Sequence, residues 1–208
     1  MLNKRFEWRI YVLTDNNFDM VFDCQKIFKS VMNAMANPGK IFNIKQQSEK
    51  LEIKDCVPAA MAMTFMDNRS RLYVEDSEEL CTYIKENTLA VKSSVEDADF
   101  IFATDIEGAQ EYNRKLINCA KVGTLPEPHK SAMLIVGLKQ FDGEKALIFK
   151  GPGIENCREV KLPEAAVKWM DTREEKNYEF PCGIDIIFYT NQGDIMGIPR
   201  TLKVGGID

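Results

Sequence analysis

The chain contains one histidine, His129, so any Ser-His-Asp, Cys-His or polyhistidine chemistry must run through it. It lies in Leu125-Pro126-Glu127-Pro128-His129-Lys130, a loop with two prolines. Imidazole titrates near neutral pH and would serve as a proton carrier there. The same setting equally suits an exposed loop histidine with no chemical task. The six cysteines, Cys24, Cys56, Cys81, Cys119, Cys157 and Cys182, are widely spaced, with no Cys-x-x-Cys pair and no Cys/His cluster. That pattern gives neither zinc nor iron–sulfur ligation and predicts free, mostly buried thiols acting as small hydrophobes. No metal site, cofactor site or catalytic residue is assigned.

The remaining candidates are cations beside bends. Arg200 follows Pro199 at the end of an apolar run, and a guanidinium held at a strand end suits bidentate contact with a carboxylate or phosphate. Asp185 opens the preceding apolar run and would pair with Arg200 if the two strands form a hairpin. Lys150 and Arg158 flank Gly151-Pro152-Gly153 and could present charge to an anion. That turn is no phosphate loop: it lacks Gly-x-Gly-x-x-Gly and Gly-Lys-Ser/Thr, and Pro152 removes an N–H donor. Arg200, Asp185, Lys150 and Arg158 are thus the candidate anion-binding set, with an internal ion pair and a tight turn as the structural alternatives.

The charge pattern narrows the partners. Net charge is −5 over 208 residues, with 45% hydrophobic and 28% charged residues, which fits a globular domain and argues against a general nucleic-acid binder. From Glu75 to Glu111 eleven acidic residues meet only Lys85 and Lys92, an imbalance that would repel ATP or phosphonate and reads as solvated helix and loop surface or a contact for a basic partner. The first residues carry Lys4, Arg5 and Arg9, but Ile10-Tyr11-Val12-Leu13 is too short for a signal peptide. No run approaches the roughly 20 apolar residues of a membrane span, and a cytoplasmic location is expected.

The elements that must position these groups follow from periodicity. Val21, Cys24, Phe28, Val31, Met32 and Met35 share one helix face, with Asp15 or Asn16 as N-cap and Asn37-Pro38-Gly39 as the stop. That stripe reads as core, which a second chain could share if its outer edge, including Phe18 and Met20, stays exposed. Ile41 to Ile44 reads as a short strand. A helix from about Pro58 to Met66 is apolar all round and predicted buried. Arg71 to Val74 reads as a strand, Ser77 caps a helix to about Asn87, and Phe100 to Ala103 is a buried strand followed by a helix from Gln110 to Cys119. Ala132 to Leu138 and Ala146 to Phe149 are expected to form a hairpin across Asp142-Gly143. A helix runs from Pro163 through Trp169, and strands Ile184 to Tyr189 and Ile195 to Ile198 flank a turn at Asn191 to Asp194. The predicted fold class is α/β: a mixed β-sheet with helices packed on its faces and an antiparallel C-terminal portion.

Three phrases punctuate the last third: Phe149-Lys150-Gly151-Pro152-Gly153-Ile154, Phe180-Pro181-Cys182-Gly183-Ile184-Asp185 and Ile198-Pro199-Arg200-Thr201. With Ala34-Met35-Ala36-Asn37-Pro38-Gly39, Ala98-Asp99-Phe100-Ile101-Phe102-Ala103-Thr104-Asp105 and Gly123-Thr124-Leu125-Pro126-Glu127, they resemble PhnH, the H-subunit family of the bacterial carbon–phosphorus lyase system. The likeness runs from about Asp19 to Val204, so residues 19–208 are expected to form one domain behind an extension of residues 1–18. Lys29 stands where the family usually has arginine, and Cys182 where it has leucine.

The resemblance implies a fold like the large domain of pyridoxal-phosphate-dependent transferases, without the cofactor. It implies a homodimer that joins the G, I and J subunits of the core complex. It also implies a role, with the G, I and L subunits, in transferring ribose triphosphate from ATP to an alkylphosphonate. This subunit would then organise the complex. The alternatives are a stand-alone ligand-binding module or a pyridoxal-phosphate-type transferase.

Overall fold

The computed structural model describes residues 18–104, 110–177 and 179–206. Along the chain run α1 (Phe22–Ala36), β1 (Phe42–Asn43), α2 (Lys45–Ser48), α3 (Cys56–Phe65), β2 (Arg71–Glu75), α4 (Glu78–Thr88) and β3 (Val91–Lys92). Then follow β4 (Phe100–Ala103), α5 (Gln110–Cys119), β5 (Met133–Leu138), β6 (Lys145–Lys150), β7 (Arg158–Leu162), α6 (Glu164–Lys176), β8 (Asp185–Thr190), β9 (Asp194–Ile198) and β10 (Lys203–Gly206). The main sheet has seven strands in the order β1-β9-β8-β5-β4-β2-β3, and a separate sheet has the order β10-β6-β7. The chain is therefore α/β with a mixed sheet, as its pattern predicts. β8, β5, β4, β2 and β3 pair in parallel, while β9 and β1 add antiparallel strands at one edge.

Strand alternation divides the core in two. Leu72, Phe102, Ile135, Ile187 and Ile195 belong to the cluster that also holds Ile27 and Val31 of α1, Met61 of α3 and Ile84 of α4. Ile101, Leu134, Val136, Ile186 and Phe188 belong to the other, with Leu116 of α5, Trp169 of α6, and Leu147, Phe149 and Val160 of the small sheet. A central strand covered on both faces must be apolar throughout, which is why every residue of β8 is buried. In α3, Val57 through Met63 are all buried, as the all-round apolar pattern requires.

Local signals set several boundaries. Ser77 Oγ accepts from the Leu80 N–H at 3.2 Å and caps α4, which ends at Leu89 in the left-handed region, φ 62°. The first turn of α1 is held by Asp19, whose Oδ1 accepts from the Val21 and Phe22 N–H groups at 2.8 Å. The expected caps Asp15 and Asn16 lie outside the described residues. Pro163 stands one position before α6 rather than inside its first turn, and the helix continues past the expected end at Trp169 to Lys176.

Three expectations are corrected. The buried side of α1 is Asp23, Ile27, Val31 and Ala34, so Val21, Phe28 and Met32 are exposed rather than core. The apolar stripe is wider than the strip the sheet covers, and its outer half stays in solvent. Residues β5 and β6 do not form a hairpin. β5 is already paired on both sides, by β4 and β8, so no edge is open to β6, which joins β7 and β10 instead. Gly143 is there for close approach: a Cβ on it would sit 2.0 Å from the Leu162 carbonyl carbon. Finally, all six thiols are free, but only Cys81 is fully buried and Cys157 is exposed. The strands β7 and β10 have no counterpart in the periodicity reading, being short, charged and punctuated by glycine.

Candidate functional site

The β8–β9 hairpin pairs Ile186 with Ile198, which leaves Asp185 beside the turn that begins at Pro199. Asp185 Oδ1 accepts from the Arg200 backbone N–H at 2.6 Å, and its two oxygens take Arg200 Nε at 3.2 and 3.1 Å. Arg200 Nη2 completes the fork on Asp185, and Nη1 donates to the Pro128 carbonyl. The pair is largely buried, with 19% of the arginine side chain and 12% of the aspartate exposed. A fork with two parallel charge-assisted bonds is the strong geometry for this pairing. The predicted Asp185–Arg200 cluster is present, and its cation is fully engaged within the chain.

A second guanidinium holds the same turn from below. Arg173 of α6 is completely buried, donating Nη1 to the Pro199 carbonyl at 2.7 Å and Nη2 to the Leu202 carbonyl at 3.0 Å, with Glu174 as counter-ion. Burial pushes its pKa down, opposed by the charges of Glu174 and Asp185. Its Nε has no hydrogen-bond partner among the described residues. Arg173 was not among the sequence candidates, yet a signal existed. Ala166, Trp169 and Met170 mark the buried stripe of α6, and Arg173 falls at the next position of that i, i+3, i+4, i+7 series.

The Gly151–Gly153 loop, the end of α1 and the Gly183 turn close on the same junction. A Cβ on Gly151 would lie 3.0 Å from the Thr201 carbonyl oxygen, so the Gly-Pro-Gly loop passes tightly against the Pro199–Leu202 turn. Gly153, at φ +81°, faces the Ala36 carbonyl, where a Cβ would come within 2.1 Å. Arg158 donates to the Pro38 carbonyl, tying β7 to the end of α1. Gly183 donates to the Val122 carbonyl at 2.9 Å, and Asn177 clasps Ile184 through its N–H and C=O at 2.8 and 3.2 Å. The three C-terminal phrases and Ala34–Gly39 thus meet, through hydrogen bonds and close backbone approach, in one knot between the two sheets and the helix ends.

Not every candidate joins it. Lys150 is exposed and stands opposite Lys203 across β6 and β10, outside the Arg200 cluster. His129 is exposed on the 3₁₀ turn Pro128–Lys130, whose first carbonyl receives Arg200, and its ring makes no hydrogen bond among the described residues. No group of three or more His, Cys, Asp or Glu able to hold a metal ion occurs among the described residues. No helix among them is long and apolar enough to cross a membrane. At the C-terminal end of β8, burial pushes the Tyr189 phenol far above its ordinary range, reinforced by Asp55 and Cys56. Its ring lies over Gly137, where a Cβ would meet the hydroxyl at 3.0 Å.

Known proteins are similar to this chain over most of its length. A family model described as bacterial phosphonate metabolism protein (PhnH) covers residues 16–205. The chain is 26% identical over 184 residues to the Stutzerimonas stutzeri protein named "Putative C-P lyase subunit protein HtxG", covering 86% of this chain and 85% of that one. It is 24% identical over 193 residues to alpha-D-ribose 1-methylphosphonate 5-triphosphate synthase subunit PhnH of Rhizobium meliloti strain 1021, covering 89% of this chain and 92% of that one. The chain belongs to the PhnH family.

Proposed function

We propose that this member of the PhnH family is an organising subunit of a carbon–phosphorus lyase core complex. In that complex it is required, with the G, I and L subunits, for transfer of ribose triphosphate from ATP to an alkylphosphonate. The observation that carries the reading is the family match over residues 16–205, which spans the whole described fold. The relatives' names, one a C-P lyase subunit and one a subunit of the synthase, support the pathway.

The geometry supports an organising role over a catalytic one. Arg200, Arg173 and Arg158, the guanidinium groups of the knot, all donate to acceptors of the same chain. A guanidinium already forked on a carboxylate must give up that bond before it can take a phosphate. An anion contact, where one exists, falls to Lys150, which is exposed.

The partners we assign are the G, I and J subunits. In isolation a homodimer would cover the exposed apolar edge of Met20, Val21, Phe22, Phe28 and Met32. The mixed sheet with helices on both faces is compatible with a fold like the large domain of pyridoxal-phosphate-dependent transferases used without that cofactor. Residues 19–208 are read as one domain.

Co-expression with the G, I and J subunits followed by size-exclusion chromatography tests the proposal. The chain is expected to co-elute with them at fixed stoichiometry and to show no turnover alone. Clean separation from all three, or turnover by the isolated chain at an enzyme's rate, overturns it.

A further inference from the structure

The three-stranded sheet buries only one of its faces. Leu147 and Phe149 of β6 and Val160 and Leu162 of β7 belong to the core, and Val204 of β10 packs against it. Alternation then puts Ile148 and Lys150 of β6, Lys161 of β7, and Lys203 and Gly205 of β10 on the opposite face. That face is open: a Cβ on Gly205 would meet only the Ile148 carbonyl oxygen, at 3.9 Å. Ile148 is half-buried and joins neither core cluster. Lys203 stands directly opposite Lys150 across the β10–β6 pairing, and both are exposed with no ion pair among the described residues. Like charges so placed destabilise a strand pair. The carboxylate on this face, Glu159, lies on the β7 side opposite Ile148, so the positive charge is least compensated along β10.

β10 is also an edge. The order β10-β6-β7 leaves one side of it unpaired, and its backbone makes no hydrogen bond beyond β6 among the described residues. Alternate residues of an antiparallel strand turn N–H and C=O away from the partner strand, so a row of donors and acceptors is open on that side. A lysine on an edge discourages neutral and basic strands from adding there. Two lysines in register make the same edge attractive to an acidic strand. Gly205 has no side chain, so a residue of an incoming strand can reach across it to Ile148.

We propose that the open side of β10 accepts an extended acidic segment of a partner subunit as a fourth strand. Its carboxylates meet Lys203 and Lys150, an apolar side chain lies over Gly205 and Ile148, and its backbone pairs with the free groups of β10. The inference rests on the reading that this chain works within a subunit complex, and it adds the face and the chemistry of one contact.

The test uses the full chain co-expressed with the G, I and J subunits, with co-elution followed over a dilution series. K150E/K203E is expected to weaken association several-fold at an unchanged melting temperature, and K150Q/K203Q, which adds no repulsion, to fall between it and the parent. Raising the salt is expected to weaken the parent's association more than that of the glutamine variant. A second readout needs no variant: hydrogen exchange in the peptide spanning Lys203–Gly206 is expected to slow several-fold when the parent enters the complex. Exchange there that is unchanged on association overturns the proposal. Equal association of the parent and both variants also overturns it and leaves the proposed function standing. Variants that lose ATP binding but associate like the parent assign the lysines to a polyphosphate, which overturns it too. A parent that joins none of the three subunits overturns the proposed function and this contact together.

Discussion

Arg173→Met isolates the guanidinium that supports the Pro199–Leu202 turn. The substitution keeps an unbranched chain of similar reach but removes two bonds from a charged donor, to the Pro199 carbonyl at 2.7 Å and the Leu202 carbonyl at 3.0 Å. Such bonds contribute about 1.5–3 kcal/mol each, and their loss leaves acceptors unmatched beside a completely buried side chain. Removing the charge also ends its burial cost, which returns part of that sum. The expected net loss is about 3 kcal/mol, or roughly 6–12 °C in melting temperature for a chain of this size. Urea denaturation supplies the free energy. Hydrogen exchange at the Leu202 amide, which closes the turn on Pro199 at 2.9 Å, reports whether the loss is local. The control is Lys168→Met on the same helix, where the Glu164 pair is exposed and a change under about 0.5 kcal/mol is expected. If Arg173→Met is as stable as the parent, with the Leu202 amide equally protected, then Asp185 and Arg200 hold the turn alone and the support assigned to Arg173 is wrong.

Two further perturbations probe other joints. Burial acts to raise the Asp23 pKa, but the bonds from Lys50 and the Asp19 N–H outweigh it and hold the carboxyl below the ordinary range. A depressed value contributes stability above the unfolded pKa of about 3.9 and loses it as pH falls through the folded value. Asp23→Asn should therefore cost about 2 kcal/mol at neutral pH, with the gap from the parent closing below about pH 4. A gap that persists undiminished at pH 2 in a urea series would contradict that assignment. Gly153→Ala places a Cβ 2.1 Å from the Ala36 carbonyl at a positive φ and should cost about 2–4 kcal/mol. Gly205→Ala, with no heavy atom nearer than 3.9 Å, should melt close to the parent. Equal melting of the two would show that the Gly-Pro-Gly loop does not press on α1.

Much of the element list was legible because its causes are local. The caps at Ser77 and Asn37-Pro38-Gly39, the all-round apolar α3 and the β8–β9 turn depend on residues a few positions apart. The α1 face was misread because periodicity shows an apolar stripe and not how much of it a neighbour covers; Phe28 and Met32 look identical to Val31 until the sheet is placed. The Asp185–Arg200 pair was legible because a hairpin brings its ends together by register alone. Arg173 was readable only as a charge on a buried stripe, a conflict that alternation and composition do not resolve.

By itself the sequence determined the α/β class, most helix boundaries, the punctuated phrases and, through them, the family. The tertiary structure decided which strands share an edge and why those phrases exist. Strand pairing depends on which edges remain open after the whole sheet is laid down, so β6 could not join a β5 already paired on both sides. The contacts of Arg158 with Pro38 and of Arg173 with Pro199 form between residues distant in the chain, and only the packed arrangement of two sheets against the helix ends brings donor to acceptor.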